Sequence, residues 1–243
     1  KYELGTVQNG YLVHSTDGIN TYRTSISTIR GDYKDEKGVN HNKLRLWEKS
    51  DFVPRPDDIF QERLYCIQWM KQRENSSLYD YEFRSVTKDD LKREEIVNNY
   101  VRKHLAKWQE EGIIPDMVIE EGAKTSEPIR TKGWTHWHHL FNPRQLLVNG
   151  LVKKLSATYN LFSLSQLLNV NCKCSIWDNS GGGGGITKNV FYNQAINTLF
   201  NYGCRGSLYT ISFLEQSYKN YPLSVNYQIE NKLSKEISTT NDI

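Results

Sequence analysis

The spacing of apolar residues changes period at Thr87, and that change restricts the fold of this chain more than any other feature. Before Thr87 the β-forming residues alternate, as in Tyr22, Thr24, Ile26 and Thr28, which is the period of a strand with one buried face. After it Val97, Val101, Leu105 and Trp108 recur at the spacing of one helix face. Strands gathered in one part and helices in another make an α+β protein, with a β-hairpin-rich N-terminal part and a mainly helical C-terminal part.

Two hairpins are expected in residues 1–86. One pairs Val7–Val13 with Tyr22–Ile29 across Thr16-Asp17-Gly18, and the other pairs Arg63–Lys71 with Leu78–Val86 across Glu74–Ser77. Pro54, Pro56, Asp57 and Asp58 mark the connection between them. Thr87 and Asp90 have the spacing of a capping box, so a helix starts there; it stops at Gly112, with Pro115 beyond. Residues 120–130 contain Gly122 and Pro128 and show no period, which reads as a linker. The expected units are therefore a hairpin region, 1–86, a helix and linker, 87–131, and a basic, mainly helical region, 132–243. In the last, Asn142 caps a helix with Pro143 at its first position and Gln145 bonding back. Leu147, Leu151 and Leu155, joined by Val148 and Val152, form its apolar stripe. A short helix over Ser163–Leu168, helices over Lys188–Asn201 and Ser207–Lys219, and a strand over Leu223–Ile229 complete the expectation.

With 37% hydrophobic and 24% charged residues among 243, the chain can bury a core. No apolar run approaches the roughly 18 residues that cross a bilayer, and residues 1–10 lack a signal-peptide h-region. Cys66, Cys172, Cys174 and Cys204 are too irregularly spaced for a disulfide framework. A cytoplasmic protein without a membrane partner is expected. The start at Lys1 suggests a segment of a longer chain.

Charge is uneven: residues 1–130 carry 21 Lys and Arg against 23 Asp and Glu, whereas 131–243 carry 10 against 5. Lys132–Thr210 holds one acid, Asp178, among many aromatic residues, including Trp134, Trp137, Phe141 and Trp177. Such a stretch suits a surface facing phosphates and bases. The alternative is a helical core that exposes amides and hydroxyls.

Several chemistries find little support. His136, His138 and His139 lie close to Cys172 and Cys174, but no paired Cys knuckles accompany them, so no metal is expected. Gly181–Gly185 lacks the fixed offsets of a phosphate loop and reads as a flexible surface loop. No nucleophile elbow is present. What remains is the helix start at Asn142, where backbone N–H groups, the helix dipole and Arg144 converge on a possible anion site. The other reading is a cap whose Arg144 and Gln145 hold a neighbouring segment.

The run Trp137-His138-His139-Leu140-Phe141-Asn142-Pro143-Arg144-Gln145-Leu146-Leu147 resembles the Trp-x-x-Leu-Phe-x-Pro-Arg-Gln-Leu-Leu signature of a family of large adenine-specific (N6) DNA methyltransferases with a zinc-ribbon insertion. Trp177, Phe191-x-x-Gln194-Ala195 and Asn201 resemble a later block of that family. Upstream, Gly5-Thr6-Val7, Arg63-Leu64-Tyr65 and the helix from Thr87 fall in its usual order. The resemblance implies a segment between two catalytic motifs: a glycine-rich loop for S-adenosylmethionine before it and an Asp/Asn-Pro-Pro-Tyr motif gripping a flipped adenine after it. Neither motif is present, and the paired zinc-ribbon cysteines are absent, so residues 1–86 take a degenerate zinc-ribbon position.

The resulting expectation is an internal segment of a DNA adenine N6-methyltransferase of restriction or phage-defence type, catalytically incomplete alone. It has no catalytic, cofactor-binding or metal residues of its own; S-adenosylmethionine is implied only for the full-length protein. DNA contacts are expected from Trp137, Asn142, Arg144, Gln145, Lys153, Lys188 and Arg205. The partners are DNA and the remainder of the methyltransferase chain or a partner subunit. The alternatives are a non-catalytic DNA-binding or assembly module and a purely structural insertion.

Overall fold

A computed structural model describes residues 7–64, 66–76, 78–123, 125–155, 161–178 and 186–190. Hairpins come first and helices follow, so the class is α+β. The first sheet has three antiparallel strands, β1 (Val7–Gln8), β2 (Tyr11–His14) and β3 (Tyr22–Ser25). What reads as one strand over Val7–Val13 is split by Asn9-Gly10, whose φ angles of 50° and 78° give the two-residue turn that suits the twist of a hairpin. The second expected strand ends early because Ser25 accepts a hydrogen bond from Thr28 N–H and opens helix α1 (Ile26–Arg30). A small ribbon follows, β4 (Tyr33–Lys34) with β5 (Asn40–His41). The second hairpin, β6 (Cys66–Gln72) and β7 (Tyr79–Ser85), pairs in register from Cys66 opposite Ser85 to Gln72 opposite Tyr79.

Helix α2 (Lys88–Glu110) starts on the expected capping box: Thr87 Oγ1 accepts from Asp90 N–H at 3.2 Å, and Asp90 accepts from Thr87 N–H at 3.0 Å. It buries Val101, Leu105, Trp108 and Gln109. Gly112, at φ 66°, turns the chain so that Ile113 and Ile114 N–H groups return to the Trp108 carbonyl. Where a linker is expected, α3 (Ser126–Lys132) forms; Pro128 sits in the first turn, where its missing N–H costs nothing. Gly133 ends α3 at φ 76°.

A single turn of 3-10 helix (Trp137–Leu140) leads into α4 (Pro143–Leu155), and α5 (Leu161–Val170) covers the short helix expected at Ser163–Leu168. The fully buried face of α4 is Gln145, Leu146, Asn149 and Gly150; of the expected stripe Leu147 packs partly buried against the core, and Leu151 is exposed. Polar and small residues win that face for two reasons. Asn149 accepts from Asn171 at 2.9 Å, and a Cβ on Gly150 would stand 3.3 Å from Ile114, so α4 can lie close to the end of α2. A further antiparallel pair, β8 (Ser175–Asp178) and β9 (Ile186–Val190), packs on α5. Lys188, expected to open a helix, lies in β9, where β-branched Ile186, Thr187 and Val190 favour a strand. The glycine run and the elements expected beyond Val190 lie outside the described residues.

One core gathers Trp47 and Phe52 from the loop after β5, Val101, Leu105 and Trp108 from α2, Trp134, Leu140 and Phe141 from the segment before α4, Leu146 of α4, and Cys172 and Cys174. Among the described residues, no helix is long and apolar enough to cross a membrane.

Gly133 carries the closest backbone approach in this core. A Cβ there would meet the Arg45 carbonyl oxygen at 2.1 Å, and its φ is left-handed. Gly133→Ala is expected to lose about 3 kcal/mol or more in urea denaturation. Gly10→Ala, at a similar φ but with open space around it, is expected to lose only about 1 kcal/mol.

Candidate functional site

The loop Lys43–Asp58 has no regular structure, yet Trp47, Asp51 and Phe52 are buried. Asp51 and Asp58 accept the backbone N–H groups of Glu48 and Arg55, and both carboxylates are held in turn by arginines. Arg45 forks onto Asp58 through two bonds of 2.7 Å and reaches Asp51 at 2.6 Å, and Arg55 adds a 2.9 Å bond to Asp51. Burial pushes the Asp51 and Asp58 carboxyls up, but Arg45 and the backbone N–H bonds outweigh it and leave both below the ordinary range.

The segment Gly133–Gln145 closes on this loop. Trp47 N–H donates to Gly133 O at 2.8 Å, and Thr135 Oγ1 donates to the Trp47 carbonyl. His138 and His139 are fully buried. Their Nε2 atoms donate to Asp51 O at 3.1 Å and Glu48 O at 3.0 Å, a tautomer assigned from the hydrogen-bond pattern. His139 Nδ1 accepts from Thr135 N–H at 3.1 Å and His136 N–H at 3.2 Å, and Gln109 lies 3.4 Å from His138 Nδ1. Both nitrogens of each ring are therefore engaged. Burial lowers His138 to about 4 and His139 to about 3, so both are neutral near pH 7.

Lys173 enters the same region from the turn before β8. Its Nζ lies 5.1 Å from the Trp47 ring and 4.9 Å from the Trp134 ring, a cation–π cage. Glu62 Oε1 stands 2.8 Å away but off the hydrogen-bond direction, so that contact is an ion pair. The Lys173 N–H holds Leu140 O at 2.8 Å. Lys173 is buried, and its position between Cys172 and Cys174 is the one sign of that burial in the sequence.

Among the described residues the expected DNA contacts fall in four places. Asn142 and Gln145 are turned inward: Gln145 N–H donates to Asn142 Oδ1, and Asn142 N–H donates to Gln145 Oε1, each at 2.9 Å. A buried helix end must satisfy its free N–H groups internally, which is why these amides face each other. Arg144 is ion-paired with Glu94 of α2, and Lys153 donates to the Gly112 carbonyl at the end of α2, so both tie α4 to α2. Exposed Lys188 pairs with Asp178 on the neighbouring strand. Trp137 is half-buried and lines an open groove of about 500 Å³ with Met117, Val118, Glu120, Glu121 and Thr125. Arg205 lies outside the described residues. Glu94 and Trp47, which the sequence gave no reason to single out, complete the site.

No protein-family model, curated protein or solved structure matches this chain.

The neutral histidines make the fold acid-sensitive in a defined window. In the unfolded chain they take protons near pH 6.5, and in the folded protein only near 4 and 3. The unfolded state therefore binds more protons between these values, and stability falls as pH drops from about 6.5 toward 3. Asp51 and Asp58 add to the loss at its acid end. Each pKa unit corresponds to about 1.4 kcal/mol. In urea melts, His138→Gln is expected to be less stable at pH 7 and to show a shallower decline between pH 6.5 and 4.

Proposed function

We propose that this chain is the scaffold region of a DNA adenine N6-methyltransferase of restriction or phage-defence type. The observation that carries the reading is the placement of the block that resembles the family signature. Leu140, Phe141, Asn142, Gln145 and Leu146 are buried at the junction of the N-terminal loop, α2 and α4. A signature made of interlocked core residues is what a shared architecture requires, so the resemblance rests on the fold's central joint rather than on surface coincidence.

Methyl transfer itself is not assigned to these residues. S-adenosylmethionine sites of the implied kind place a glycine-rich loop between a strand and a helix. Among the described residues every strand pair is antiparallel and no strand passes through such a loop into a helix, so those residues do not fit the cofactor. The cofactor and the adenine-gripping motif belong, in this reading, to the remainder of the chain or a partner subunit.

DNA contacts come from the accessible side chains: Lys154 and exposed Lys153, which keeps its charge beside the Gly112 carbonyl, on α4, and Trp137 at its groove. Glu120 and Glu121 repel phosphate, so the groove suits a base stacking on the indole rather than the backbone. Asn142 and Gln145 act as positioning residues.

A methyl-transfer assay on the intact gene product, with duplex DNA and labelled S-adenosylmethionine, tests the reading. N6-methyladenine in the digested DNA is the expected result. DNA binding without methyl transfer would instead favour the non-catalytic binding module.

The contacts predict their own signature. Binding to duplex DNA is expected to be sequence-tolerant, with a dissociation constant of roughly 10⁻⁴–10⁻⁶ M at physiological salt. By fluorescence anisotropy, the double variant Lys153→Ala, Lys154→Ala is expected to reduce the salt slope by about two. Asn142→Ala should leave the slope unchanged while costing about 1–3 kcal/mol of stability, because it strands a buried N–H. An unchanged slope in the lysine variant would remove the DNA surface from α4.

A further inference from the structure

Two thiols outside the proposed DNA surface share one tight turn. Ser175 N–H donates to Cys172 O at 3.1 Å, closing a turn over Cys172–Ser175, and Ser175 Oγ accepts from Cys172 N–H at 3.2 Å while donating to Asn169 O at 3.0 Å. Cys174 N–H then points at Cys172 Sγ, 3.3 Å away. Cys172 Sγ also lies 3.4 Å from the Leu140 carbonyl. The turn therefore folds the second cysteine back onto the first.

The two sulfurs differ in surroundings. Cys172 is enclosed on every side, 1% exposed, and burial pushes its thiol well up. Cys174 is also buried, 4% exposed, but it lines a small cleft with Glu127, Pro128, Thr131, Lys132 and Trp134. The hydrogen bond from Cys172 draws its thiol below the ordinary value, and Lys132 and Lys173 reinforce that against burial. The cleft's free volume of about 10 Å³ is close to that of a single water-sized guest. A sulfur drawn toward its thiolate, flanking ammonium groups and so narrow an opening favour a very small electrophile over a bulky one.

We propose that Cys174 and Cys172 are a hydrogen-peroxide-responsive thiol pair, with Cys174 the attacking sulfur at the cleft and Cys172 the resolving one. The Cys174 thiolate attacks one peroxide oxygen; an S–O bond forms, the O–O bond breaks, and the departing hydroxide takes a proton to become water. Sulfur is oxidised by two electrons to a sulfenic acid, and peroxide is reduced. Cys172 sulfur then attacks Cys174 sulfur; the S–S bond forms, the S–O bond breaks, and the second oxygen leaves as water with the Cys172 proton. Two thiols and one peroxide thus give one disulfide and two waters. Oxidation removes the Cys172 S–H and disturbs the 3.4 Å approach of its sulfur to Leu140 O, next to the Lys173 cage, so tryptophan emission from Trp47 and Trp134 should report it. The pair stands independently of the methyltransferase reading.

The test uses the full chain carrying Cys66→Ser and Cys204→Ser, treated with hydrogen peroxide and read by intact mass and peptide mapping. The expected product has lost two hydrogen atoms, with Cys172 linked to Cys174. Cys172→Ser should trap a sulfenic acid at Cys174 that a 1,3-diketone probe labels. Lys132→Met should slow labelling by about threefold for each pKa unit regained, since the thiolate fraction falls tenfold while nucleophilicity partly compensates. Should the serine variant fail to fold, differential alkylation of the parent chain identifies which sulfur reacts first. Oxidation seen only after unfolding in urea, first labelling at Cys172, or reaction with glutathione disulfide as fast as with peroxide would each overturn the proposal.

Discussion

The helical part of this protein meets its irregular N-terminal loop backbone against backbone at Gly133. Gly133 has no side chain to hold the Arg45 carbonyl away, and its own carbonyl accepts the Trp47 N–H at 2.8 Å. That approach sets the register of everything nearby. It lets Thr135 reach the Trp47 carbonyl, places the Trp47 ring 6.2 Å from Trp134 and 5.1 Å from His139, and leaves between the two indoles the space that Lys173 fills. A loop without strands or helices can be buried only if its polar groups are paired, and His138, His139 and Arg45 supply those pairs.

Local signals were legible in the sequence. The Thr87–Asp90 and Asn142–Gln145 boxes each involve a side chain and a backbone group three residues apart, and both form as read. The Asn9-Gly10 turn was equally local and was hidden only by the alternation around it. Other features depend on distant partners. The buried face of α4 is decided by Asn171 and Ile114, which no helical period within α4 can announce. Lys188 follows its β-branched neighbours into a strand paired with residues before the glycine run. For the site, Trp137 and the cap were visible, whereas Lys173 and Glu94 acquire meaning only once the chain has folded.

The uneven charge of the two halves has a similar explanation. Arg144 and Lys173, from the basic half, are paired with Glu94 and Glu62 from the acidic half. Lys188 is paired within its own hairpin. Part of the excess positive charge is therefore spent joining the halves to each other rather than gathered on one face. Fewer cations remain for phosphate than the composition implies, which is why the proposed DNA binding is weak and sequence-tolerant rather than tight.

The block from Trp137 to Leu147 divides along the same line. Its apolar members and its two amides point inward, and Asn142 and Gln145 use their hydrogen bonds on each other's backbone, leaving little with which to read a base. Trp137 and Arg144 sit at its edge, one beside a groove and the other against α2. A block built this way orients α4 and the surfaces beside it. In the methyltransferase reading, its contribution is to hold α4 and the Trp137 groove at a fixed angle to the rest of the enzyme, so that catalytic groups supplied elsewhere meet DNA in one geometry.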